Sequence, residues 1–169
     1  MQSMVAEFSS FAAIPEVSLS AGNLYPLLEE LVLMFRTSHP RIDWQLDIPS
    51  PLPDMPLDSE AMHRVLLNLM GNAAEALGGE QAQAGARVVI RAYLDSKQEN
   101  LYVEIEDNGP GLPEEDAARL FEPYYSRKQG GTGLGLSIVR ALVQDHGGSI
   151  VAENAPEGGA VIRMEFPLV

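Results

Sequence analysis

Leu24, Leu27, Leu28, Leu31, Val32 and Phe35 follow the i, i+3, i+4, i+7 spacing of a helix with one buried face, predicting a helix over about 23–37. The period then changes to two, because Ile42, Trp44, Leu46 and Ile48 alternate with Asp43, Gln45 and Asp47, the pattern of a half-buried strand. A proline-rich link from Pro49 to Pro56 is expected to continue neither element. Asp58 is placed to cap a following helix over 59–77, whose apolar stripe is Met62, Val65, Leu66, Leu69, Ala73 and Leu77. Strands are predicted at 88–94 and 101–106, and a helix at 133–146 carries Leu134, Ile138, Val139, Leu142 and Val143 before Gly147-Gly148 closes it. Segments 149–153 and 160–166 flank Gly158-Gly159 as a terminal hairpin. At the start, Met4, Val5, Phe8 and Phe11 are helix-spaced over too short a run to stand alone, and read as the tail of a longer helix.

Helices and strands alternate here without a strict βαβ rhythm. The expected fold class is therefore α+β: a two-layer α/β sandwich in which a mixed sheet of about five strands is covered by three helices.

Composition narrows the function. The 169 residues hold 24 acidic against 11 basic side chains, a net charge of −13, so neither nucleic acid nor an anionic membrane surface is an expected partner. The absence of cysteine removes disulfide scaffolds, thiolate metal sites and thiol nucleophiles, and suits a reducing compartment. No apolar run approaches the ~18 residues of a membrane helix, and the first residues lack the blocks of a signal peptide.

Three places along the chain could carry chemistry. On the 59–77 helix, Asn68, Asn72 and Glu75 lie within about 60° of one another at the border of the apolar stripe. A solvated helix face would explain them, yet two asparagines and Gly71 cost helix stability, and a side-chain amide oxygen is a hard neutral ligand suited to Mg²⁺. Next, Asp107-Asn108-Gly109-Pro110-Gly111 follows a strand directly. It fits an ordinary turn, and equally a loop whose glycines admit a flat ligand while the carboxylate accepts from an exocyclic amine. Finally, Gly130-Gly131-Thr132-Gly133-Leu134-Gly135 opens a helix, where unpaired N–H groups form a phosphate cradle. Neither the P-loop nor the dinucleotide-fold glycine spacing is present. Lys128, one of only two lysines, stands beside Arg127 just before these glycines.

Taken in order, Asn68-x-x-x-Asn72-Ala73-x-Glu75-Ala76, Asp107-x-Gly109-x-Gly111, Phe121-Glu122-Pro123-Tyr124-Tyr125 and Gly131-Thr132-Gly133-Leu134-Gly135-Leu136 resemble the N, G1, F and G2 boxes of the ATP-binding domain of bacterial sensor histidine kinases, a Bergerat-fold family. The resemblance spans about residues 20–167. The leading segment is similar to the end of the second dimerisation helix of nitrogen-regulation kinases, so the expected division is residues 1–16 for that helix and 17–169 for the catalytic domain.

The resemblance implies ATP and Mg²⁺ as cofactors. It makes Asn72 the metal ligand, with Asn68 and Glu75 on the triphosphate side and Asn68, Asn72 and Lys128 as the catalytic set. Asp107 would read the adenine amine beside Gly109 and Gly111; Gly131, Thr132, Gly133, Leu134 and Gly135 would hold phosphates; Ala76, Leu112 and Leu120 would pack the base. Residues 121–131 would form a mobile lid bearing Lys128. Hydrolytic and serine-kinase relatives typically carry Glu where this chain has Asn68; an amide cannot serve as a general base, which favours transfer to histidine over hydrolysis. His39, His63 and His146 all lack the acidic neighbour of an acceptor box. The implied partners are a histidine-bearing dimerisation domain of the same protein and a response regulator, in the cytoplasm, with any membrane anchor lying elsewhere in the full-length protein. A nucleotide-dependent interaction module, or a free ATPase or serine kinase of the superfamily, is the alternative.

Overall fold

The computed structural model describes residue 14, residues 16–126 and residues 133–168; the helix expected in the first residues lies outside them. Strand β1 (Ser20–Gly22) precedes helix α1 (Tyr25–Ser38), strands β2 (Asp43–Asp47) and β3 (Met55–Leu57), and helix α2 (Ser59–Ala76). Strands β4 (Arg87–Leu94) and β5 (Asn100–Asp107), helices α3 (Glu114–Ala117) and α4 (Gly135–Asp145), and strands β6 (Ser149–Asn154) and β7 (Ala160–Pro167) complete the order.

Five strands form one mixed sheet in the order β2-β4-β5-β7-β6, with β2 parallel to β4 and the other pairs antiparallel. Alternation sends Val88, Ile90, Leu101, Val103, Ile105, Met164 and Phe166 to one face, where they meet α1, α2 and α4 in a single core. The opposite face is polar. Its centre is Glu104, buried under the Arg163 guanidinium (2.7 Å) and the Tyr93 hydroxyl (2.8 Å).

The expected sandwich is present with two additions. Pro56 does not exclude a strand: β3 pairs only with β1, Ala21 lying opposite Pro56, and a two-stranded edge tolerates a residue with no N–H. The short α3 follows Pro113, in a stretch with no helical apolar period to reveal it. The buried arc of α2 is also wider than its stripe, taking in Met70 and Ala74, because α2 packs between α1 and α4 as well as on β5. Among the described residues no helix is long and apolar enough to cross a membrane.

Asp58 caps α2 as expected, one oxygen accepting from the Ala61 N–H (3.1 Å) and the other from the Ser18 N–H (2.9 Å). These bonds, the Ala61 one foremost, hold its pKa below the ordinary 3.8. Its stabilising contribution is therefore present above 3.8 and is lost as the pH falls through the lowered value. Asp58→Ala is expected to cost about 1 kcal/mol at neutral pH, with the parent and variant melting curves converging in acid.

Candidate nucleotide site

The asparagines of α2 sit half-buried at the seam between α2 and α4, where the Asn72 amide nitrogen donates to Asn68 Oδ1 at 3.2 Å. Gly135 opens α4 directly against them. A Cβ there would lie 2.8 Å from Asn68 Nδ2, closer than side chains pack, so glycine lets the helix start reach the asparagine pair. Among the described residues no side chain caps that helix start, and its first turn holds no acid, a setting that suits an anion.

Asp107 ends β5 and is 8% exposed. Its Oδ1 accepts from the Gly109 N–H at 2.9 Å. Burial raises its pKa first of all; the Gly109 and Ala160 N–H groups oppose the rise and nearby Glu106 adds to it. Among the described residues no cation pairs with this carboxylate, in contrast to Glu104 with its arginines. A buried acceptor of this kind is complementary to a neutral N–H donor.

Between these two ends lies a cavity of about 600 Å³. Asn68, Asn72, Glu75 and Ala76 line it from α2, Asp107, Gly111 and Leu112 from the end of β5, and Gly133 and Gly135 from the start of α4. Leu120 contributes to the wall, so the three residues expected to pack a base all reach the cavity. Gly109 acts behind the wall, on Asp107. Leu134 is 1% exposed with its side chain in the core, which confines its share in the site to the backbone. Lys128, Gly131 and Thr132, with the part of the expected lid over 127–131, lie outside the described residues.

Tyr125 and Ser126 also line the cavity; Tyr125 closes the Phe121–Tyr125 box assigned to the expected lid and here forms part of the wall, whereas no pattern in the sequence marks Ser126. Tyr125 is held at the wall by two contacts from around α3: its hydroxyl donates to Asp116, and the Arg119 guanidinium stacks 4.7 Å from its ring centroid. Gly133, at φ +71°, packs against the backbone of Tyr124 and Tyr125, and the Tyr124 N–H donates to its carbonyl at 3.0 Å. Ile105 and Ile162 face the cavity as cross-strand partners; alternation within each strand shows which face they share, and the β5–β7 register sets them opposite each other.

A family model described as histidine kinase-, DNA gyrase B-, and HSP90-like ATPase matches residues 57–169, most of the chain and every element of this cavity. The chain belongs to this ATPase family. ATP is accordingly its ligand, and its relatives place it with the catalytic domains of sensor histidine kinases. The nitrogen regulation protein NtrY of Azorhizobium caulinodans is 37% identical over 95% of this chain, which spans 21% of that relative. The catalytic domain of histidine kinase ThkA superposes with a TM-score of 0.76 at 30% identity, covering 90% of this chain and 97% of that one. ThkA solved in complex with the response regulator TrrA gives 0.81 at 26% identity, over 99% of this chain and 47% of ThkA.

Proposed function

We propose that this ATPase-family domain donates the γ-phosphoryl group of ATP to a histidine on a dimerisation domain of the same protein. In this reading the adenine amine meets Asp107 at one end of the cavity, and the triphosphate runs toward Asn68, Asn72 and the α4 helix start. The observation that carries the reading is the Asn68–Asn72 pair at the triphosphate end, since two amides bind and orient phosphate and metal without accepting a proton.

The donor set fits Mg²⁺. With its nitrogen engaged on Asn68, Asn72 has its amide oxygen to offer, and Glu75 lines the same wall. A cation held by an amide and one carboxylate would draw its other ligands from phosphate and water, the habit of magnesium. When bound, Mg²⁺ neutralises charge building on the β and γ oxygens. The chain's own residues supply position: Asp107 fixes the base, Asn68 and the α4 N–H groups fix the phosphates, and the cavity aims the γ-phosphorus outward. An imidazole lone pair from the partner domain then forms the N–P bond as the bond from phosphorus to the β–γ bridging oxygen breaks. ADP leaves, and the imidazole proton passes to a base outside this chain. The domain division at residue 16 and a response regulator acting downstream, the kind of partner solved with ThkA, belong to the same proposal.

Calorimetric titration with a non-hydrolysable ATP analogue, with and without Mg²⁺, tests it. The parent should bind more tightly when Mg²⁺ is present. Asn72→Ala should lose most of that Mg²⁺ enhancement with its melting temperature held, because the side chain is a ligand on the helix border and not core. An unaltered Mg²⁺ dependence in the variant would remove Asn72 from the metal site.

A further inference from the structure

Asn154, the last residue of β6, touches the nucleotide cavity only through another residue. Its side-chain nitrogen donates to the Leu112 carbonyl at 2.6 Å, and its oxygen accepts from the Leu112 N–H at 2.7 Å. An asparagine amide has the donor and acceptor of a peptide group, so the pair acts as one rung of antiparallel sheet between a side chain and a backbone 42 residues away in sequence. The rung grips the loop after Asp107. Gly111 has φ +78° and is wedged so closely that a Cβ would lie 2.7 Å from Asn154 Oδ1 and 3.3 Å from the Gly159 carbonyl. Gly111 and Leu112 in turn form the cavity wall beside Asp107.

The same hairpin holds Asp107 itself. Asn154 pairs with Ala160 in the β6–β7 register, which brings the hairpin up behind Asp107, and the Ala160 N–H counters the rise that burial gives the carboxyl pKa. Gly159 packs onto the Asp107 carbonyl with no room for a Cβ. The base end of the cavity is thus fastened from behind by one turn, at the Asp107 backbone by Gly159 and at the loop by Asn154. Both Asn154 bonds lie at the exposed surface, away from the core.

We infer that Asn154 is a positioning residue for base recognition: by clamping the Leu112 backbone it holds the Gly111-Leu112 wall at the distance from Asp107 that an adenine ring requires. The inference rests on the ATP reading of the cavity. It assigns to Asn154 an effect on the base end alone, so ADP and ATP should respond alike and the metal should not matter.

The experiment titrates the full chain with ADP without Mg²⁺, and with the β,γ-imido analogue of ATP with Mg²⁺, for the parent, Asn154→Ala and Asn154→Asp. Asn154→Ala is expected to bind both nucleotides about tenfold more weakly, with the Mg²⁺ enhancement of the parent and a melting temperature close to it. Hydrogen exchange at the Leu112 amide should speed up, since its acceptor is gone. Asn154→Asp keeps the acceptor but sets a carboxylate oxygen against the Leu112 carbonyl, so it should bind no better than Asn154→Ala. Titration well below both melting temperatures separates positioning from stability: a weakening that disappears there is structural and overturns the inference. Nucleotide affinities within twofold of the parent, or a loss confined to the triphosphate with Mg²⁺, overturn it as well. A parent that binds neither nucleotide strikes the ATP reading itself and this inference with it, whereas a binding parent beside an equally good Asn154→Ala strikes only the inference.

Discussion

Asp107→Ala is expected to lose about fivefold to more than a hundredfold of its affinity for ATP and ADP alike while folding as well as the parent. Removing a charged acceptor strands the adenine amine inside the cavity, a loss of roughly 1–3 kcal/mol or more. Guanine nucleotides should gain nothing in exchange from the parent, because their carbonyl would face the carboxylate oxygen to oxygen. The fold survives because this carboxylate is a burden to it. Burial raises its pKa above 3.8, so the folded chain holds that proton more firmly than the unfolded chain does. The group's contribution to stability is fully present below 3.8 and is lost as the pH rises through the folded value, so the ionised form at neutral pH weighs against folding. Calorimetry for binding and thermal melting at neutral pH check both halves. Parental ATP affinity in the variant would refute the assignment of the base pocket.

The second large effect is all-or-none: the isolated chain is expected to bind ATP and yet acquire no phosphate. His146, the most buried of its three histidines, has both nitrogens committed, Nδ1 donating to the Leu142 carbonyl (2.7 Å) and Nε2 accepting from the Asp58 N–H (3.1 Å). His39 stacks on Phe35 with Ser38 Oγ on its Nδ1. At the cavity, Asn68 cannot activate water in place of a histidine. Supplying a dimerisation domain in trans should restore transfer slowly, since an untethered partner lacks the effective concentration of a linked one. Radiolabelled ATP followed by an acid wash reads the result. Acid-labile label on the chain alone would mean that one of its histidines is an acceptor, and rapid release of free phosphate would favour the hydrolytic alternative.

What could be read from the sequence divides along a physical line. Asn68, Asn72 and Glu75 were legible because helix geometry places them on one border whatever surrounds the helix, and Asp107 because an alternating strand runs directly into the turn residues Asn108-Gly109-Pro110. The α4 start was legible as a glycine run, although the helix begins at Gly135 and Gly133 belongs to the approach, bonded to Tyr124. Tyr125 was legible only as the end of the Phe121–Tyr125 box and not as a wall residue, and Asn154 was not legible. Tyr125 reaches the wall through Asp116 and Arg119, and Asn154 reaches Leu112 across 42 residues, contacts that only the folded chain defines. The β1–β3 pair escaped for a related reason, since three-residue strands have too little alternation to register and Pro56 argues against one of them.

The position of β7 has a consequence for how such a domain is made. It is the last strand described, yet it lies inside the sheet with β5 on one side and β6 on the other. While residues 160–167 are still within the ribosome, β5 has an open edge, and the cavity lacks the wall that Ala160 and Ile162 supply. ATP is therefore a poor scaffold for the growing chain, because its pocket is incomplete until β7 adds Ala160 and Ile162 to the wall. A polypeptide interrupted before Ala160 would be worse than inactive. It would present an unpaired edge carrying Leu101, Val103 and Ile105 to any neighbouring chain, the surface that sends unfinished proteins to aggregates or to proteases.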